Sequence, residues 1–261
     1  MDLQLTGKTA FVSGSTQGIG FAIAQGLVDE GAHVIINGRD QTRVDDAVTA
    51  LKKAGARISG IAADFNDPAQ VQSLLDAIGD VDVLVNNVGA FEVRPFADVS
   101  DDDWQRYFDV NVMSGVRLSR RLMPGMLERG WGRIIFINSE SGVNVPADMI
   151  HYGASKAAML ALGNGLAKLT RGTAVTVNSI LGGPTYSDGV ANAIGEIATM
   201  QGMDVAGLKS AIAAGNATSI LQRFIEPNEI ASLALYLASP LSSATNGAAV
   251  RADGGVLTAM L

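Results

Sequence analysis

The sequence predicts an α/β fold: a doubly wound sheet of about seven parallel strands with helices on both faces. Short β-branched runs alternate with longer stretches of helical period. Most of those runs are apolar at consecutive positions, as strands of a helix-covered parallel sheet must be. A glycine-rich turn separates the first run from the first helical stretch, at the end of the strand where such sheets hold ligands.

Taken in order, the first strand is expected in "KTAFVSG". The helix "GFAIAQGLVDEG" follows, with Phe21, Ile23, Ala24, Leu27 and Val28 near helical spacing. The second strand is "AHVIING". After it, "DQTRVDDAVTALKKAG" sets Val44, Val48 and Leu51 on one face, and Gly55 stops the helix. The remaining strands are expected in "RISGIAAD", "VDVLVNN", "GRIIFINS", "AVTVNSI" and "GAAVRADGG". No Pro/Gly/Ser-rich linker divides the chain, and no repeat with a period of ~20–50 residues appears, so residues 1–261 are expected to form one domain. The rhythm of strands breaks at about 184–222, where Val190, Ile194 and Ile197 keep helical spacing and lead to Met200 and Met203. An insertion there is expected to form a lid.

Hydrophobic residues make up 48% of the chain and charged residues 17%, enough apolar material for a large core and too little charge for disorder. The net charge of −7, without a dense basic run, argues against nucleic-acid or polybasic membrane contacts. There is no cysteine and only His33 and His151, so no disulfide and no thiolate or histidine metal centre is expected. "MDLQLTGKTA" lacks a basic segment followed by an apolar core, and no apolar run approaches the ~18 residues of a membrane helix. A cytoplasmic protein is expected.

"VSGSTQGIG" places Gly14, Gly18 and Gly20 where strand gives way to helix. Glycine there permits a tight turn and lets backbone N–H groups approach a pyrophosphate at the helix N-terminus. The alternative is a ligand-free glycine turn. At the end of the second strand, an enzyme preferring NAD usually carries an acid for the ribose 2′-OH, whereas an arginine accommodates a 2′-phosphate. Here Gly38 holds the acid's place, Arg39 follows, and Asp40 falls at a turn or helix-cap position. Arg39 therefore favours NADP(H), with NAD(H) as the alternative. Asp64 ends the third strand, and Asn86, Asn87 and Gly89 end the fourth, all at the ligand-binding edge. In "HYGASK", Tyr152 and Lys156 share one helix face, which taken alone is either a surface or packing pair or a site where the ammonium favours the phenolate and lowers the tyrosine pKa.

These motifs together resemble the short-chain dehydrogenase/reductase family over nearly the whole chain. "SGSTQGIG" is similar to its cofactor loop, with Ser13 where threonine is usual. "NNVG" is similar to its N-N-A-G element and "YGASK" to its Y-x-x-x-K. Ser139 precedes Tyr152 by thirteen residues, and "EPNEIASLALYLAS…NGAAVRADGG" is similar to the family's last helix and strand. The resemblance implies a Rossmann-type sheet binding a nicotinamide cofactor. It implies Tyr152 as general acid or base, Lys156 on the nicotinamide ribose, Ser139 orienting the substrate oxygen, and Asn111 holding a relay water. Gly14, Thr16, Gln17, Gly18, Ile19 and Gly20 would cradle the pyrophosphate, Asp64 and Phe65 would border the adenine, and Asn87 and Gly89 would line the adenosine ribose. Gly183, Thr185 and Ser187 fall in the segment matched to the nicotinamide carboxamide. A homotetramer or homodimer is implied.

One departure is Gly182-Gly183 in place of the family's Pro-Gly, which predicts a looser loop and a higher melting temperature for Gly182→Pro. The substrate expectation is a medium-sized hydrophobic ketone or alcohol, with Phe91, Glu92, Glu140, Val145, Met149 and the segment 194–203 facing the pocket. Glu140 stands open between a solvated turn carboxylate and a contact for a basic or hydroxylated substrate. His151 is expected only to line or pack. A binding protein without turnover, serving as a sensor, is the reading from another class.

Overall fold

The computed structural model describes residues 2–53 and 55–260. Its seven strands are β1 (Thr9–Val12), β2 (His33–Gly38), β3 (Ile58–Ala62), β4 (Val83–Asn86), β5 (Trp131–Ser139), β6 (Ala174–Gly182) and β7 (Ala249–Ala252). They form one parallel sheet in the order β3-β2-β1-β4-β5-β6-β7. The chain first winds outward from β1 to β3, then returns to β4 and winds the other way. This reversal opens a crevice between the carboxyl ends of β1 and β4.

Alternation along the strands divides the core. Ala10, Val12, Val34, Ile36, Val83, Val85 and Ile135 face one side, against α1 (Gly18–Asp29), α2 (Gln41–Leu51) and α9 (Pro227–Ala238). Phe11, Ile35, Leu84, Ile134 and Phe136 face the other, against α3 (Pro68–Ala77), α5 (Ser114–Glu128) and α6 (Ile150–Lys168). All of these strand residues are buried, which explains why the strands read as unbroken apolar runs. Buried among them, Arg133 donates to the carbonyls of Gly132, Ala174 and Ser239, tying β5 to β6 and to the end of α9.

Helix ends follow local chemistry. Asp40 caps α2 by accepting from the Arg43 N–H at 2.9 Å, and Asp67 caps α3 with Pro68 in its first turn. Ser100 and Asp103 form a reciprocal capping box at the start of α4 (Asp101–Tyr107). From α4 the chain continues through a π-turn at Phe108–Met113 directly into α5.

The segment expected as a lid folds into α7 (Asp188–Gln201) and α8 (Val205–Gly215). These helices bury Ile194, Ala198 and Leu208 with Phe224 in a small cluster of their own. Ile194 therefore packs inside this unit, whereas Met200 and Met203 are exposed on it. No helix among the described residues is long and apolar enough to cross a membrane.

The loop expected to be loose at Gly182 is instead the last rung of β6, paired with Ser139 on one side and Ala252 on the other. The Gly183 N–H donates to Ala252 O, so the alternation of the ladder turns the Gly182 N–H toward β5. Proline at 182 would forfeit that bond, about 1 kcal/mol, against an entropic gain of similar size. The gain in melting temperature expected from the sequence is thereby cancelled, and Gly182→Pro should melt within about 2 °C of the parent. A rise above about 4 °C would show that the rung contributes nothing. Gly183 has no such latitude, because a Cβ there would lie 2.8 Å from both the Asp253 Cα and its carbonyl carbon.

Candidate active site

At the carboxyl ends of β1 to β4 lies a cleft of about 740 Å³, lined by Gly14, Thr16, Gln17, Gly38, Arg39, Asp64, Phe65, Asn87 and Gly89 among others. Eight of the sequence-predicted site residues, all of these but Gly38, thus meet in one place. Gly14 and Gly18 both adopt φ of +60°, a left-handed conformation that glycine takes without strain. Gly20 serves close approach instead: a Cβ would press on the Gly14 carbonyl and reach 2.5 Å from Asn87 Nδ2 and 2.9 Å from Ser15 Cα. Gln17 opens α1 without a side-chain cap. The residues present therefore fit a dinucleotide, with a narrow glycine turn, a helix start that its N-cap side chain leaves uncapped and a cleft running along the strand ends.

The turn is braced from two sides. Asn37 Oδ1 accepts from the Gly14 N–H at 3.2 Å, while Asn87 Nδ2 donates to Gly14 O at 2.8 Å and Ser13 O at 3.1 Å. Asn87 lines the cleft, but its amide is spent on holding the turn. Ser13, where the family has threonine, accepts from the N–H groups of Asn87 and Val88. The Gly18 N–H donates to Asp188 Oδ2 at 2.6 Å, so the first residue of α7 rests on the start of α1.

At the end of β2, a Cβ on Gly38 would reach 2.5 Å from Thr16 Cγ2, leaving little room for a larger side chain. Arg39 and, one helical turn on, Arg43 line the cleft there, both exposed. Arg43 was not singled out in the sequence; its position in the first turn of α2 was the available signal.

The second group of residues gathers beyond β4 and β5. The π-turn carries Asn111, fully buried, whose Oδ1 accepts from the Ala90 N–H at 2.7 Å and whose Nδ2 donates to Ala90 O at 3.0 Å and Ser155 Oγ at 2.9 Å. Ser155, not anticipated, completes this link between the π-turn and α6. Lys156 is buried, donates to Ile137 O at 3.1 Å and lies 5.6 Å from the Tyr152 ring centroid. A Cβ on Gly89 would stand 3.4 Å from Lys156 Nζ and 3.6 Å from Asn111 Oδ1, so Gly89 joins the two groups of residues.

The electrostatics correct one expectation. Burial pushes the Tyr152 phenol up to about 12, and the Glu140 charge adds to the rise, so Lys156 does not bring it down. Burial also pulls Lys156 down to about 8, against the pull of Glu140. A partner charge is readable at i, i+4, whereas the desolvation that outweighs it arises only from packing. At neutral pH the phenol is protonated and poised to donate.

Around this centre, Phe91 stands edge-on to Tyr152 at 6.4 Å. Val145 packs where a Gly153 Cβ would point. Glu92, expected toward the pocket, is instead paired with Arg94 at 2.7 Å and accepts from Tyr107 Oη. His151 is buried and packs edge-on against Tyr107 at 4.4 Å. Thr185 and Ser187 lie between β6 and α7, with Thr185 Oγ1 donating to Gly183 O at 2.9 Å. Ser187 lies beside Gly18.

Fold and site define an oxidoreductase acting on CH–OH or C=O groups with NAD(P). The chain belongs to the short-chain dehydrogenase/reductase family: the short chain dehydrogenase profile matches residues 8–196. It is 44% identical to the oxidoreductase YvrD of Bacillus subtilis, with both chains fully covered. It is 46% identical to YvaG of the same organism over 98% of each chain. Among solved structures it is similar to L-sorbose reductase from Gluconobacter frateurii, complexed with NADPH and L-sorbose, at 32% identity and a TM-score of 0.94 over the whole of both chains.

Proposed function

We propose that this protein is an NADP(H)-dependent oxidoreductase that moves hydride between nicotinamide C4 and the carbon of a carbonyl or secondary alcohol. The observation that carries the reading is the convergence of Asn111, Tyr152 and Lys156 behind Gly89, at the edge of a cleft that begins on a glycine turn. In this reading the bound nicotinamide supplies the hydride. Tyr152 donates its phenolic proton to the substrate oxygen in reduction and takes it back in oxidation. Lys156, held by Ile137 O, binds the nicotinamide ribose. Asn111 fixes the turn at Ala90 and holds a water that returns the proton. Phe91 and Val145 offer apolar walls to a hydrophobic substrate. The family resemblance supports extending the reading to a homotetramer or homodimer in the cytoplasm.

Preference for NADP(H) rests on Arg39 and Arg43 beside the side-chain-free Gly38. The Arg39→Asp/Arg43→Ala variant should lower the ratio of kcat/KM for NADPH over NADH by at least about tenfold, the worth of one charge-assisted hydrogen bond. An unchanged ratio would remove the basis for that preference. The broader reading is tested by following NADPH and NADH oxidation over ketones, diketones, sugars, steroids and β-ketoacyl compounds. Fluorescence-detected NADPH binding without turnover of any of them would replace the enzyme by a cofactor sensor.

A further inference from the structure

Ser139, at the end of β5, has one hydroxyl proton, and that proton is taken: Oγ donates to Glu140 Oε2 at 2.6 Å. The same Oγ accepts from the Ser141 N–H at 3.1 Å, and Glu140 Oε1 accepts from Ser141 Oγ at 3.2 Å. Glu140 is a half-buried turn carboxylate whose two oxygens are engaged by Ser139 and Ser141. Its carboxyl is pushed up by burial, and its charge is felt by Tyr152 and Lys156, the titratable groups facing it from α6. A hydroxyl offers one donor and two acceptor lone pairs. With the donor on Glu140 and one lone pair on Ser141, Ser139 has one lone pair left to face the reacting end of the site. A lone pair accepts from an alcohol O–H and is repelled by a carbonyl oxygen.

We propose that Glu140 is a positioning residue that holds the Ser139 hydroxyl proton, fixes Ser139 as a hydrogen-bond acceptor, and so biases the site toward the alcohol form of its substrate over the carbonyl form. The inference rests on the proposed function and on the role that the family resemblance implies for Ser139, orienting the substrate oxygen beside Tyr152. It adds the sense of that serine's hydrogen bond, which is set by the next residue in the chain. In reduction the substrate oxygen then takes its hydrogen bond from Tyr152, and the alcohol formed donates to Ser139.

Two substitutions separate the parts. Glu140→Ala removes the acceptor and frees the hydroxyl to donate, whereas Glu140→Gln keeps an amide oxygen at the same reach. With a ketone and its matching secondary alcohol at saturating cofactor, E140A should lower KM for the ketone and raise KM for the alcohol. Each change should be about fivefold, the size of one neutral hydrogen bond, and E140Q should restore most of the alcohol preference. In a Ser139→Ala background, E140A should have no further effect on the ratio of the two KM values. The inference is overturned if both KM values move the same way in E140A, or if the effect persists without Ser139.

A second readout needs no turnover. The Tyr152 phenolate absorbance, taken as a difference against Tyr152→Phe, should titrate at lower pH in E140Q and lower still in E140A, where Ser139 is free to donate to the phenolate. Equal midpoints in E140A and E140Q, or in Glu140→Leu and E140Q where E140A does not fold, overturn the inference. Absence of turnover with every substrate would count against the proposed function alone, since this titration still reads where the serine proton lies.

Discussion

Tyr152→Phe is expected to lower kcat by about 10²–10⁴-fold in both directions while leaving the Kd for NADPH within about twofold of the parent. The substitution removes one oxygen and keeps the ring that meets Phe91 edge-on, so packing at the start of α6 is preserved. The phenol stands at about 12, so it is neutral at pH 7 and serves as acid without further adjustment. Oxidation of an alcohol needs the phenolate, whose population grows with pH below that value. The parent's oxidation rate should therefore rise through the alkaline range, and the residual rate of the variant should lose that rise. Steady-state kinetics in both directions and fluorescence titration of NADPH decide the matter. Near-parental turnover in Tyr152→Phe would eliminate the proposed acid–base role.

Gly20→Ala is the second substitution with a large expected effect, and here binding should fail before chemistry. The new methyl group would meet the Gly14 carbonyl, Asn87 Nδ2 and Ser15 Cα, and two of those three are backbone atoms of the turn itself. A flexible side chain could swing aside, but this backbone is fixed by Asn37 and Asn87. Relief must come from moving the turn, at about 1–3 kcal/mol of overpacking. The expected outcome is a fall of several degrees in melting temperature and an NADPH Kd raised at least about tenfold. An unchanged Kd would mean that the glycine turn is not where the dinucleotide sits.

Much of this arrangement could be read from the amino-acid order because the signals are local. Seven apolar runs became seven strands, and the glycine turn fell between β1 and α1. Tyr152 and Lys156 share a helix face because four residues make about one turn. The parts that could not be read depend on contacts distant in sequence or on sums over many atoms. The bond from Gly18 to Asp188 spans 170 residues, and no local pattern announces it. The upward shift of Tyr152 follows from burial, which an i, i+4 count does not measure. The rigidity of Gly182 comes from neighbours on β5 and β7, so the missing proline alone gave the wrong picture of that loop. Glu140 could be suspected from its place beside Ser139, but only the folded chain shows which of its neighbours holds the proton.

The π-turn at Phe108–Met113 bears on more than the placement of Asn111. From Asp101 to Glu128 the chain is one unbroken coil, yet its two ends answer to different neighbours. Tyr107 packs on His151 at the start of α6, and Leu118, Leu122 and Met126 pack on the sheet. Each residue of an ideal α-helix advances by about 100°, so two such stripes on one rod must stay in phase. A π-turn accommodates one extra residue and resets that phase without ending the helix. The wide turn works as a vernier between the two stripes: it lets a single rod be seated against the sheet at one end and against α6 at the other, with Asn111 at the adjustment point.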